Sequence, residues 1–308
     1  MPTYRLKESL IIYDEKSQYA SGTEIAKAKT PFHFNYNFCK KNNAEKKPKI
    51  DVLKVIKPPS KFEIEMMIGR AVHTLVLEPD IFKNHFAYFD RSKLPFPTES
   101  LRNPKNKEYY NNFRKQNFEK QILEYDSYLK VVAMRDSIYQ NVVAIKQLFD
   151  GGYIENIWYS DKNEYNIKNK VRIDFVKKDK PYILDVTTTT NAHPTKLANE
   201  FIDNNKHISF GNQLWSVNND PDRKVDEYKR IIIIAVEKYP PYAVSCFNLD
   251  DNFIEFSKHA FNKRMETLKK CFETKKWPSY DILAGQDNKT GISEAGVSNF
   301  KMNYESIW

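Results

Sequence analysis

The chain has 308 residues, with 49 Lys and Arg against 40 Asp and Glu, which gives a net charge of +9 and a pI near 9.1. Its 8 glycines form no phosphate-binding loop of the Walker or dinucleotide type, and its 3 cysteines have neither a disulfide-framework nor a zinc-site spacing. The basic balance suits a phosphate-bearing partner, although a lysine-rich solvated surface would account for it equally well.

The amino-terminal half is predicted to be mostly helical. Residues 1–19 are predicted to form an extended arm, and Ser21 or Thr23 can cap a helix that ends at Thr30-Pro31. Apolar residues at helical spacing predict further helices, at about 60–77 and, as a pair, at about 107–149. Polar and proline-rich composition predicts loops at 40–60 and 91–106.

After residue 152 the hydrophobic period changes to that of strands, which are predicted at 153–160, 166–177, 182–189, 230–236 and 242–248. Helices are predicted between and after them, at 194–206, about 211–217 and 250–275. The run 231–236 is continuously apolar, as expected of a strand buried on both faces of a sheet. The alternation indicates an α/β protein.

Two acids stand out in this strand-rich half. Asp174 and Asp185 lie on successive predicted strands, and an antiparallel pairing through the turn at 177–180 would bring their carboxylates together. Such a pair can hold a hard divalent cation such as Mg²⁺. Two strand carboxylates that face solvent are an equally good interpretation of the pair alone.

Two further residues could join these acids. His73 lies in an otherwise apolar predicted helix, four residues after Gly69, which allows close backbone approach. Imidazole is a common metal ligand, but a hydrogen-bonded core histidine is the more frequent case. Gln213 could orient a phosphate or a water molecule, and by sequence alone it is ordinary helix surface.

Together these residues resemble the RecE-type (exodeoxyribonuclease VIII-like) exonucleases of phages and prophages, a branch of the PD-(D/E)xK nuclease superfamily. The resemblance runs from about residue 18 to 280 and is carried by five motifs in the family's order. They are the opening helix and "SP-hy" turn at 20–34, the "G-x-x-x-H-x-L-x-L-E-P" helix at 69–79, the "xRxD" strand at 171–174, the "DLKTT" position at 185–188 and the "AVEKxPPYAV" strand pair at 235–244.

The resemblance implies a mixed central sheet flanked by helices, with helical amino-terminal additions. It implies an arm at 1–19, a nuclease domain at 20–280 and a tail at 281–308. Within the domain, the helical part would be 20–150, the catalytic sheet 153–248 and a last helix 250–275. It also implies metal ligation by His73, Asp174 and Asp185, a site role for Gln213, and an acid at Glu155, for which an exposed strand glutamate is nearly as good an interpretation.

By the same resemblance, we expect a Mg²⁺- or Mn²⁺-dependent enzyme that digests double-stranded DNA from its ends in phage-type recombination. The family's members often form ring-shaped oligomers and pass the remaining strand to an annealing protein. The sequence has no signal peptide and no apolar run of the roughly 20 residues that span a bilayer, so we expect a cytoplasmic protein of a bacterial host without membrane association.

The main departure from the family is Thr187, which stands where the motif has its catalytic lysine, and a neutral hydroxyl cannot replace a cation. The "QAAxY" helix also loses its tyrosine at 217. Lys170, on the strand face of Asp174, and Lys196 are candidates for a relocated lysine. Three hypotheses therefore remain: an active exonuclease, a nuclease-like DNA-binding protein that does not cut, or an assembly protein on a borrowed fold.

Overall fold

The computed structural model describes residues 4–6, 19–35, 60–96, 100–148, 151–161 and 163–278. The strands are β1 Tyr4–Leu6, β2 Ala20–Ser21, β3 Phe86–Phe89, β4 Gln121–Glu124, β5 Gly152–Ser160, β6 Asn169–Lys177, β7 Tyr182–Thr189, β8 Arg230–Glu237 and β9 Val244–Asn248. The α-helices are α1 Gly22–Lys27, α2 Pro31–Phe34, α3 Lys61–Leu77, α4 Phe82–His85, α5 Pro104–Gln116, α6 Tyr125–Gln140, α7 Val142–Leu148, α8 Pro194–Asp203, α9 Lys206–Asn218 and α10 Asp251–Thr274.

A seven-stranded mixed sheet forms the centre, with the strand order β1-β5-β6-β7-β8-β9, and β2 pairs with β6 outside this path. Strands β6 and β7 pair antiparallel through the turn at 177–180, as expected for the strands of Asp174 and Asp185. Strands β5 and β6 also pair antiparallel, while β7 and β8 pair in parallel. A parallel pair needs a long crossover, and α8 and α9 supply it. The predicted fold class, α/β with a mixed central sheet flanked by helices, is confirmed.

Each face of the sheet carries its own apolar core. Helices α3 and α6 cover one face, where Val72 and Met134 pack against Leu184 and Val186 of β7. Helices α8, α9 and α10 cover the other face, where Phe210 packs with Ile183 and Ile231. Because side chains alternate along a strand, Asp185 is directed to the α9 face, opposite to its neighbours Leu184 and Val186.

The amino-terminal helices begin at the residues that the sequence indicated. Ser21 caps α1 in a capping box with Glu24, while Ser60 and Glu63 form the same box at the start of α3. The Thr30-Pro31 pair does not end α1, which stops at Lys27. It starts α2 instead, with the Thr30 hydroxyl accepting from the His33 amide.

The segment 107–149 differs from its prediction of two helices. It holds most of α5, all of α6 and α7, and the strand β4, which pairs in parallel with β3. Strands of four residues carry too few positions for an alternating pattern, and this pairing joins segments about 35 residues apart, so local periodicity could not reveal it. The predicted loop 91–106 likewise contains a short 3-10 helix and the first turn of α5.

A second difference matters for the site. Residues 194–206 are not one helix, because Asn205 adopts the left-handed conformation (φ 57°) and divides α8 from α9. Asparagine tolerates this conformation better than most residues. Lys206 is therefore the first residue of α9 and not the last of α8.

The arm predicted at 1–19 contributes β1, which pairs with β5. Residues 7–18, residues 40–59 of the loop predicted at 40–60, and the tail at 281–308 lie outside the described residues. Among the residues that are described, no helix is both long enough and apolar enough to cross a lipid bilayer.

Candidate active site

The site forms where β6 and β7 separate. These strands pair at only two positions, Phe175 with Leu184 and Val176 with Ile183. Beyond that point the Asp174 carboxylate occupies the gap, and its Oδ2 accepts a hydrogen bond of 2.8 Å from the Val186 amide. The backbone group freed by the separation is thereby satisfied, and the carboxylate is held at the opening of the sheet.

Glu155 on β5 lies across from Asp174, in the register set by Ile154 with Phe175 and Asn156 with Ile173. Its φ of 52° is unfavourable for a non-glycine residue inside a strand, and such strain is typical of functional sites. The carboxylate is buried and forms an ion pair with Nε of Arg172.

His73 reaches the same point from α3. Its Nδ1 lies 3.3 Å from Oδ2 of Asp174. The helix can approach because Gly69, one turn earlier, has no side chain, and a Cβ there would lie 3.3 Å from the Thr188 hydroxyl on β7. The close approach expected of Gly69 is therefore confirmed.

These three residues, His73, Glu155 and Asp174, are called the acidic pocket below, and their charges are strongly coupled. Burial by itself would lower the pKa of His73, but the Asp174 carboxylate, with Glu155 and Asp185, raises it to about 8. Burial, assisted by Asp174 and opposed by Arg172, raises the pKa of Glu155 to about 7. Burial also opposes ionisation of Asp174, yet His73 and the Val186 amide keep its pKa below the ordinary value.

The acidic pocket has the geometry of a cation site. One ligand atom from each of its three residues lies within 4.8 Å of the other two. Ligands on opposite sides of a Mg²⁺ ion are about 4.2 Å apart, so a small adjustment would let all three bind one ion. Carboxylate oxygens suit Mg²⁺ and Mn²⁺, and an imidazole nitrogen is an accepted further ligand for transition metals. The residues present therefore fit a divalent metal.

Asp185 lies on the other side of this opening. Its Oδ2 accepts a hydrogen bond of 2.7 Å from Nζ of Lys206, at the start of α9. Burial raises the pKa of Asp185, and the Lys206 ammonium opposes that rise while Asp174 adds to it. The rings of Phe201 and Phe210 lie 4.8 and 5.3 Å from the same ammonium and shield it.

Gln213 follows Lys206 by seven residues, which is about two helical turns, so both lie on the same side of α9. Its side chain is buried, and within the described residues its Oε1 has no hydrogen-bond partner. A buried unpaired carbonyl costs about 1–3 kcal/mol, which is expected where a ligand completes the hydrogen bond. We call Asp185, Lys206 and Gln213 the lysine side.

The other predicted residues are placed as follows. Thr187 is half-buried on β7, two positions after Asp185. Lys170 is buried four positions before Asp174 on β6, where it pairs with Tyr159 of β5, while Lys196 is exposed on α8. The catalytic roles predicted for these residues stay predictions.

Sequence reasoning missed Lys206. The chain is rich in lysine, and the predicted helix 194–206 ended at this residue, which hid its position at the start of α9. The one local signal is the pair Asn204-Asn205, which favours a helix boundary.

A family model described as a PDDEXK-like domain of unknown function (DUF3799) matches residues 44–286, well over half of the chain. The chain belongs to this family. Its sheet, with an acid at the opening between two strands and a second acid on the next strand, is the corresponding PDDEXK-like core.

A solved structure agrees with the fold of this PDDEXK-like protein. A crystal structure from Eubacterium rectale, provisionally described as an exonuclease, matches with a TM-score of 0.55 and 10% identity, over 96% of this chain and 98% of that one. A second structure, SSO0001, has a TM-score of 0.34 and 9% identity over 91% and 83% of the two chains, which is too low to support an argument. No curated protein sequence matches this chain.

Proposed function

We propose that this PDDEXK-like protein is a metal-dependent deoxyribonuclease in which Lys206 replaces the missing motif lysine. One observation carries the proposal: an ammonium group lies 2.7 Å from Asp185, at the opening that also holds the acidic pocket. Lys206 therefore supplies, from a different helix, the positive charge that Thr187 lacks at the motif position.

Each residue of the site has a definite task in this proposal. His73, Glu155 and Asp174, with Asp185 beside them, would hold a divalent cation, which lowers the pKa of an attacking water and neutralises the scissile phosphate. The Lys206 ammonium orients that water and offsets the negative charge that develops on the phosphate oxygens. The unpaired Oε1 of Gln213 accepts a hydrogen bond from the water.

We further propose that the substrate is double-stranded DNA and that the protein acts at its ends as an exonuclease. The net charge of +9 supports a phosphate-rich partner. The preference for ends, a recombination role in a phage or prophage, a ring-shaped oligomer and an annealing-protein partner rest on the resemblance to RecE-type exonucleases.

The test is digestion by the purified full chain of two forms of one DNA, a linear duplex and a covalently closed circle, with Mg²⁺ or Mn²⁺. We expect nucleotide release from the linear form alone, and Asp174→Asn should lower it by at least about 10³-fold, since the variant removes an anionic ligand. Equal cutting of the closed circle would replace the exonuclease proposal with an endonuclease. A wild-type protein no more active than Asp174→Asn would contradict hydrolysis and favour DNA binding without cutting.

A further inference from the structure

A cavity of about 320 Å³ is lined by residues that precede and follow Lys206 in the chain. It lies between α1, α2, the first turn of α9 and the middle of α10. Asn205 and His207 line it, and Lys206 stands between them in the chain. Successive helical residues point about 100° apart, so the first turn of α9 serves Asp185 on one side and this cavity on another.

The cavity is cationic, and none of the described residues that line it is acidic. Lys29 and Lys263 are exposed at its rim, and Arg264 is half-buried in its wall. The Arg264 guanidinium donates from Nη1 to three carbonyls, those of Ile25, Ala26 and Ala28, at 2.8, 2.8 and 3.0 Å.

Among the described residues no carboxylate pairs with Arg264, and burial lowers its pKa. The three neutral carbonyls hold the guanidinium in place without cancelling its charge, so the cavity wall keeps a positive charge that favours an anionic ligand.

His207 adds a specific hydrogen-bonding group. The residue is only 5% exposed, its ring stacks on Phe256, and its Nδ1 has no partner within the described residues. Burial lowers the pKa of His207, while a hydrogen bond to the Phe201 carbonyl acts in the opposite direction. A neutral ring that donates through one nitrogen has an acceptor at the other, so Nδ1 can accept from a hydroxyl or an amino group.

Most of the remaining wall is apolar, with Ile25, Ile208 and Leu268 among its members, and Thr30, Asn205 and Thr267 are its polar residues. A fitting ligand therefore has an anionic group for the rim, an apolar body for the wall and one hydroxyl or amino donor for His207. A nucleotide unit combines these three properties, and a volume of about 320 Å³ lies at the lower end of small-ligand pockets, which span about 300–1,000 Å³.

We propose that this cavity binds one nucleotide unit, with its phosphate toward Lys263 and Arg264 and its sugar and base against the apolar wall. The inference rests on the proposed function, since the bound unit would then be the one next to the phosphate that Lys206 faces. The same chemistry is offered by a nucleotide within a DNA strand and by a free mononucleotide, and the experiment separates the two.

The experiment measures binding to the full chain by isothermal titration calorimetry in EDTA, so that no cleavage occurs and the outcome does not depend on activity. The probes are deoxyadenosine 5′-monophosphate, inorganic phosphate and a short linear DNA duplex. The variants are Lys263→Glu, which reverses a rim charge, and Ala260→Phe, which fills the cavity. Lys270→Glu is the matched control, because it makes the same charge change at an exposed position of α10 outside the lining.

We expect the mononucleotide to bind more tightly than phosphate, and both variants to weaken its binding at least tenfold while Lys270→Glu leaves it unchanged. A parallel loss of duplex affinity would identify the strand as the source of the unit, whereas unchanged duplex affinity would identify the free nucleotide. Wild-type affinity for all probes in both variants would overturn the proposal, as would phosphate binding as tight as that of the nucleotide. Neither result would affect metal-dependent cleavage by the wild-type protein, so failure of this proposal can be distinguished from failure of the proposed function. If Ala260→Phe is unstable, Lys263→Glu still tests the proposal, because Lys263 is exposed and its substitution should not disturb the fold.

Discussion

The acidic pocket and the lysine side balance their buried negative charges in different ways. The acidic pocket gathers two carboxylates around an imidazole whose pKa is raised to about 8, so in the absence of metal a proton supplies its positive charge. On the lysine side, Asp185 already has its cation, the ammonium of Lys206. A metal ion would therefore displace protons from the acidic pocket, whereas the lysine side has its ion pair in place before any metal binds.

On the lysine side, the largest expected effect is that of removing the Lys206 ammonium. Lys206→Ala should lower the rate of DNA cleavage by about 10²–10³-fold, the usual cost of removing one preorganised charge from a reacting site. Divalent-metal affinity should change little, because the acidic pocket stays intact. Steady-state cleavage and metal titration of the same preparation would measure the two effects separately.

Three further variants sharpen the Lys206 prediction. Lys196→Ala, at an exposed position of α8, should cut normally, and Lys170→Ala tests the relocation first considered from the sequence. Adding Thr187→Lys to Lys206→Ala returns a lysine to the motif position and should restore part of the rate. A Lys170→Ala protein more impaired than Lys206→Ala would assign the catalytic cation to β6 instead.

A smaller effect is expected from pH on the acidic pocket. Since His73 and Glu155 have pKa values raised to about 8 and about 7, a metal ion must displace their protons. Metal affinity should therefore rise about tenfold from pH 7 to pH 8.

The metal-free protein should show the reverse trend in stability. A group whose pKa is higher in the folded than in the unfolded state stabilises the fold when it is protonated. This contribution is complete at pH values below the unfolded-state pKa and disappears as the pH rises through the folded-state pKa. The melting temperature should fall between about pH 6.5 and 8 because of His73. Differential scanning calorimetry of the wild type and His73→Gln would test this, and equal pH slopes for the two proteins would refute it.

The smallest predicted effect concerns Gln213. Gln213→Leu removes a buried carbonyl that has no partner in the described residues, so it should raise the free energy of unfolding by about 1 kcal/mol and slow cleavage about three- to tenfold. Gln121→Leu is the matched control, because Gln121 on β4 also has an unpaired buried Oε1. Gln121→Leu should gain stability without loss of cleavage. If Gln121→Leu and Gln213→Leu slow DNA cleavage equally, Gln213 has no specific role in the site.

Much of this architecture could be predicted from sequence because it follows local periodicity. The α3 pattern placed His73, and the strand patterns placed Asp174 and Asp185 on neighbouring segments. Local periodicity could not show that β6 and β7 separate after two paired positions, which depends on the Val186 amide bonding to Asp174.

The same limit explains Glu155 and Lys206. Glu155 enters the acidic pocket through a left-handed backbone conformation that no strand pattern implies. Lys206 reaches Asp185 only because α9 starts one residue after Asn205. Both depend on tertiary packing that overrides the preference of the local sequence.

The most direct measurement of the central claim is Mn²⁺ binding, followed by electron paramagnetic resonance on wild-type protein and on Asp174→Asn at pH 8. The account predicts saturable binding by the wild type that Asp174→Asn loses, with Lys206→Ala close to wild type. Binding that is absent in the wild type, or unchanged in Asp174→Asn, would contradict it.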